Sequence, residues 1–222
     1  DPIDPVTSQE VTQKINEGTS IMTFFGHASS SGFDQNVDDP SNWSNYGKYP
    51  LVIGNACYTG DIFQPSSNST SERFVMLPDR GAIAFLSSVR LGFAQTLNAY
   101  TSNLYQNIAQ DAYGQTIGQQ IRQTIQSIES PTGSIPLEST CVGMTLHGDP
   151  ALKLNWHQNP EFEINNQSIL FEPENINLAV DSITVKVALT NIGRATVSSF
   201  TVELRRTFPN SSTDSIYIRV VS

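Results

Sequence analysis

Cysteine is scarce in this sequence: 222 residues contain two, Cys57 and Cys141. A disulfide scaffold is therefore excluded, and the fold must rest on an apolar core. A hydrophobic content of 38% is enough to build one. Positive charge is scarce too. Lys and Arg total 12 against 21 Asp and Glu, for a net charge of −9 and a pI near 4.7. Without clustered cations nothing displaces counterions from a phosphate backbone, so nucleic acid is excluded as a partner. No apolar run approaches the roughly 20 residues of a membrane-spanning helix. Abundant Ser, Thr, Asn and Gln with little Lys lean towards a secreted or cell-surface protein. The sequons at Asn42, Asn68, Asn166 and Asn210 add little weight, because Asn/Ser-rich chains produce them by chance. The sequence opens on Asp1 with no signal-peptide pattern, and so reads as a mature product or an excerpt of a longer chain.

What is present divides near residue 156. Residues 7–18 read as a short helix with Thr7 and Glu10 as a capping box and Gly18 as its stop. Apolar runs at 20–25, 50–56 and 81–88 read as buried strands, and 28–49 as a polar loop. Leu97, Tyr100, Leu104 and Ile108 recur at helical spacing, as do Ile117, Ile121, Ile125 and Ile128. Residues 141–155 read as a loop and a closing strand. Continuous apolar strands separated by helices predict an α/β domain over 1–156, with a mainly parallel sheet covered on both faces. From 157 to 222 the pattern is alternating strand with turn residues between, which predicts an all-β immunoglobulin-like sandwich. Only 62 residues follow Pro160, against roughly 100 in a complete domain of that kind. This module is expected to be truncated or unusually small.

Two strands end on a reactive side chain. "FFGHASSSG" places His27 after the first, and "LVIGNACYTGD" places Cys57 after the second. Functional groups gather at the carboxyl ends of strands in open parallel sheets. A cysteine needs a base to reach its thiolate form, and a histidine with an ordinary pKa of about 6.5 can serve. The backbone N–H groups of Ala28 and Cys57 leave the sheet in turns and suit an oxyanion. Gly26, Gly32, Gly54 and Gly60 let a substrate approach the backbone. Plainer readings exist: Cys57 as a buried structural thiol or a partner of Cys141, and His27 as a core histidine.

The segment "FFGHASSSGF" followed by "IGNACYTGD" resembles the His and Cys motifs of the gingipain family of cysteine peptidases. "GAIAFLSS" and "TLHGDPALKLN" resemble later segments of the same family. The resemblance covers roughly residues 8–155. It implies a caspase-like three-layer sandwich, of which this chain carries the second half, followed by an immunoglobulin-like domain. It implies a secreted endopeptidase in which His27 is the base and acid, and Cys57 is a nucleophile forming a thioester. Ala28 and Cys57 would supply the oxyanion hole, and Phe93 would stand where the family places an aromatic pocket wall. Relatives often carry Gly at the position of Ala28. The family's histidine-orienting and specificity acids lie upstream of the histidine, where this chain offers only Asp1, Asp4, Glu10 and Glu17. The implied partners are protein or peptide substrates and the missing N-terminal half of the catalytic domain. A sortase-like transpeptidase of the type IX secretion system and a non-catalytic adhesion module are the competing functions.

The remaining candidates read as structural. His147 and His157 are expected to be non-catalytic. Asp61 is expected to serve a turn or helix cap. No cofactor is expected. "GFDQNVDDP" (32–40) carries three aspartates that could hold a structural calcium, but it lacks the Gly and Glu placement of an EF-hand loop and reads as a solvated loop. Phe93 reads equally as plain core.

Overall fold

The computed structural model describes residues 5–29, 31–34, 39–63, 69–128, 134–154, 157–176, 180–196 and 198–220. Asp1, Asp4, Asn68 and Asp38, the last in the suggested calcium loop, lie outside them. The chain divides into two compact units, Asp1–Leu154 and Asn155–Ser222.

The first unit opens with helix α1 (Pro5–Glu17). The sequence expectation began it at Thr7. Proline at the first helical position has its φ pre-set and no N–H to leave unsatisfied, so the helix starts earlier and Thr7 lies inside it. Gly18, at φ 115°, ends it by donating to the carbonyls of Lys14 and Ile15. Four strands follow in one sheet: β1 (Ile21–Phe25), β4 (Leu51–Asn55), β5 (Ala84–Ser88) and β6 (Met144–Gly148), in spatial order β1-β4-β5-β6. The first three run parallel, and β6 runs antiparallel to β5. A small hairpin, β2 (Ala28–Ser29) with β3 (Gly32–Phe33), rises from the segment read as polar loop. Its pairing involves too few residues to leave a period in the sequence.

Helices cover both faces. On one side α3 (Ala94–Gln106), α4 (Ile117–Ile128) and α5 (Ile135–Gly143) bury Leu51, Ile53, Ala84 and Leu86 against Tyr100, Leu104, Ile117 and Cys141. On the other, α1 and α2 (Thr70–Val75) enclose Val52 and Phe85 with Ile15, Trp43 and Phe74. Fully burying one such side chain contributes about 1.5–3 kcal/mol, so these two layers hold the unit together. Helix α2 went unread, though its capping box is formed by Ser69 and Glu72. Helix α5 also went unread: Cys141 sits near its end rather than opening a strand. Its apolar residues lack helical amphipathicity, and Pro136 lies in its first turn, where a proline is tolerated. A further difference concerns β1. All five residues of β4 and of β5 are buried, but β1 is half-exposed. Among the described residues nothing pairs with its outer edge.

Among the described residues the second unit shows three antiparallel pairs. β7 (Phe162–Glu163) pairs with β10 (Thr190–Asn191), β8 (Ile169–Glu172) with β9 (Thr184–Val187), and β11 (Phe200–Thr207) with β12 (Thr213–Val220). Two alternating stretches, 161–173 and 181–193, each hold two strands. Asn165 caps a 3-10 turn between β7 and β8, accepting from the N–H groups of Gln167 and Ser168. His157 pairs with Glu161 within this unit.

Candidate functional site

The parallel register of β1 and β4 pairs Phe25 with Asn55 as the last partners. His27 and Cys57 each lie two residues beyond. Adjacent strands run about 4.8 Å apart, so both residues leave the same carboxyl edge of the sheet side by side. The Gly26 N–H extends this ladder by donating to the Asn55 carbonyl at 3.3 Å.

Cys57 sits in a turn fastened from several directions. Tyr58 follows it at φ 58°, a left-handed conformation that is uncommon for a bulky side chain. Its N–H donates to the Arg90 carbonyl at 3.0 Å, and Gly60 donates to Ser88 at the same distance. Gly60 must be small, because a Cβ there would stand 2.5 Å from Ser87 Oγ. Below the turn, Asn55 is buried, and its Oδ1 accepts from Thr101 Oγ1 of α3 at 2.8 Å. Cys57 is half-buried, and its Sγ accepts the Gly92 N–H at 3.4 Å. No disulfide joins Cys57 to Cys141, which packs in the core beneath the sheet.

His27 is held differently. Its ring is exposed, and its carbonyl accepts the Asp34 N–H at 3.1 Å. His27 and Asp34 thus form a hydrogen-bonded pair just beyond the β2–β3 hairpin. In an antiparallel ladder the next pair, Ala28 with Phe33, is the non-hydrogen-bonded kind, so the Ala28 N–H points away from the hairpin partner. That orientation suits an oxyanion donor. Asp34 is the acid nearest His27 in the hairpin register. Its Oδ1 lies 3.6 Å from where a Cβ on Gly26 would stand.

Other sequence candidates are now placed. Phe93 is exposed just before α3, next to the Gly92 that touches Cys57, and so is not core. Asp61 serves a turn: its Oδ1 accepts the Phe63 N–H at 3.1 Å. His147 lies within β6 opposite Phe85, away from the β1/β4 edge, with both ring nitrogens buried and unpartnered. Asp39 of the suggested calcium loop caps its own turn, accepting from the Ser41 hydroxyl and N–H, which hold its carboxyl below the ordinary value. Glu17 is engaged with Lys14 and Gln13, and Glu10 lies exposed on α1; neither is associated with His27 by any described contact. Three contributors escaped the sequence reading: Asn55, Gly92 and Asp34. A polar residue ending an otherwise apolar run was the available signal for Asn55. Gly92 touches Cys57 across 35 residues and left none.

The chain resembles several solved structures. The complex of Porphyromonas gingivalis RgpB pro- and mature domains matches with TM-score 0.60 and 12% identity, over 98% of this chain and 57% of that one. The Arg-specific cysteine proteinase gingipain R matches with TM-score 0.56 and 12% identity, over 98% and 56%. A further solved protease matches with TM-score 0.55 and 12% identity, over 93% and 55%. This chain therefore spans little more than half the length of the structures it matches. At such identity the likeness establishes the fold alone, a caspase-like mixed α/β arrangement with a mainly parallel sheet. No curated protein matches. Residues 3–155 match the model of peptidase family C25, and the chain belongs to that family, the one its His and Cys motifs resemble.

Proposed function

We propose that this chain carries the catalytic edge of a secreted or cell-surface cysteine endopeptidase. Membership of the C25 family supports a cysteine peptidase at family level. The observation that carries the residue roles is the β1–β4 register, which sets His27 and Cys57 two residues past the same paired position. His27 takes the Cys57 proton. The sulfur then attacks the scissile carbonyl carbon, and the oxyanion is met by the N–H groups of Ala28 and Cys57. The C–N bond breaks as the imidazolium protonates the leaving amine, leaving a thioester. Water, deprotonated by His27, attacks the thioester and the C–S bond breaks, which restores the dyad. This chemistry needs only these side chains and backbone groups. A structural calcium remains a separate proposal for the 32–40 loop.

The outer edge of β1, which no strand among the described residues pairs with, and the half-length coverage of the matched structures support a second element of the reading. A further part of the catalytic domain pairs along β1 and supplies the acid that orients His27. The antiparallel pairs of the second unit support an immunoglobulin-like module there. The test uses a full-length parent with a peptidyl electrophile and mass spectrometry. Label on Cys57 that is lost in His27→Ala supports the dyad. Equal labelling of wild type and His27→Ala sinks it.

A further inference from the structure

Ser88, the last residue of β5, holds the Cys57 turn by two routes. Its carbonyl accepts the Gly60 N–H at 3.0 Å. Its hydroxyl accepts the Arg90 N–H at 3.1 Å and donates to the Arg90 carbonyl at 3.1 Å. That carbonyl also accepts the Tyr58 N–H at 3.0 Å, so both of its lone pairs are engaged. One buried serine thus reaches the backbone one and three residues beyond Cys57. Fixing Arg90 also sets the course of the chain into Gly92, whose N–H meets the sulfur at 3.4 Å. The segment has a firm base, because the Val89 N–H donates to the Gly143 carbonyl of α5 at 2.9 Å.

Tyr58 shows what these bonds work against. Its φ of 58° is a conformation that a bulky residue keeps only where its surroundings over-determine it. Its side chain is 37% exposed, so packing alone does not hold it there. Within the turn its carbonyl accepts the Asp61 N–H, and the Thr59 carbonyl accepts the Ser71 N–H. The described ties to β5 and the segment after it run through Ser88, Arg90 and the sulfur. A serine hydroxyl bonded to backbone two residues on is by itself a local turn device. Here the same carbonyl carries the bond across to the residue after the proposed nucleophile.

Resting on the peptidase reading above, we propose that Ser88 is a positioning residue for Cys57. Through the Arg90 carbonyl, its hydroxyl fixes the turn that aims the sulfur and the Cys57 N–H. Both must stand at near-contact distance from one carbonyl group, so a loosened turn costs rate rather than substrate binding.

The test compares Ser88→Ala with Ser88→Thr, which keeps the hydroxyl. Arg90 is exposed, so water can serve its backbone once the hydroxyl is gone, and the alanine variant is expected to fold. In the chain itself, amide hydrogen exchange followed by NMR should be at least about fivefold faster at Tyr58 in Ser88→Ala, with the β4 amides unchanged. In a full-length parent the same variant should lower kcat by at least about fivefold and leave KM within about twofold. Ser88→Thr should lie near wild type in both readings. Ser88→Val matches threonine in shape without the hydroxyl, and carries the same readings if the alanine variant does not fold. Smaller changes in exchange or kcat, a change confined to KM, exchange that rises equally along β4, or a Ser88→Thr protein that behaves as Ser88→Ala each overturns the proposal. Failure of the dyad reads out separately, as a Cys57→Ala parent that keeps its turnover, while the exchange measurement tests the Ser88 tie in either case.

Discussion

The two corners of the candidate site are built to different standards. The Cys57 turn grows from a fully buried strand and is tied to the last residue of β5 through Gly60 and to the segment after β5 through Tyr58 and the sulfur itself. Asn55 and Thr101 anchor it from below. His27 ends a half-exposed strand at the edge of the sheet, and its described fastening is a backbone bond to Asp34. On the proposed reading, the Cys57 corner is pre-organised by this chain, whereas the His27 corner has only the Asp34 backbone bond among the described contacts. A misplaced base is expensive, since catalysis relies on near-contact geometry.

The sharpest way to break this comparison is catalytic. In a full-length parent, Cys57→Ala should lower peptide turnover by at least about 10³-fold, as loss of a nucleophile does in other peptidases. The chain alone should cleave poorly even with Cys57 intact, because its base is under-supported. Robust peptide cleavage by the chain alone, measured by chromatography of the products, would show that His27 is held well enough as it stands.

Next comes the anchor of the better-built corner. Thr101→Val leaves Asn55 Oδ1 buried without its donor, and the amide Nδ2 is already unpartnered. The expected loss is about 1–3 kcal/mol in urea unfolding, with slower alkylation of Cys57. A change under about 0.5 kcal/mol, the size of a typical surface substitution, would mean that Asn55 is not the anchor.

A smaller effect separates the catalytic edge from the rest of the sheet through pH. Burial pushes the His147 imidazole below its ordinary value of 6.5, with Glu72 opposing. The fold therefore favours the neutral ring. The unfolded chain binds the extra proton, so stability rises with pH across this window. It is complete above about pH 6.5, the ordinary histidine value, and declines as pH drops towards the depressed folded value. The melting temperature should fall between pH 7 and pH 5, and His147→Gln should flatten that slope. An unchanged slope would remove His147 from the account.

The smallest expected effect is on the weaker corner. His27→Ala should change unfolding free energy by no more than about 0.5 kcal/mol, because an exposed ring with few partners contributes little. A loss above 1 kcal/mol in the same urea titration would show that the His27 corner is as firmly built as the Cys57 turn.

Much of the site was legible before folding. Apolar runs stopping at His27 and Cys57 place both residues at strand ends, because continuous hydrophobicity followed by Gly-rich polar sequence is what a buried strand leaving a sheet looks like. Helical periodicity marked α3 and α4, since each buries one stripe. Charge argued against a nucleic-acid partner, and two cysteines against a disulfide scaffold. The rest was settled by long-range pairing, which leaves no period in the chain. Nothing local says that β1 lies beside β4, that β6 runs antiparallel, or that β1 is an exposed edge. Nothing local brings the Gly92 N–H to the Cys57 sulfur across 35 residues, or Thr101 under Asn55 across 46. Sequence alone chose which residues end the strands, because burial and turn chemistry act on near neighbours. Tertiary structure alone chose which of those ends meet, because that depends on closing loops whose cost and geometry no short segment records.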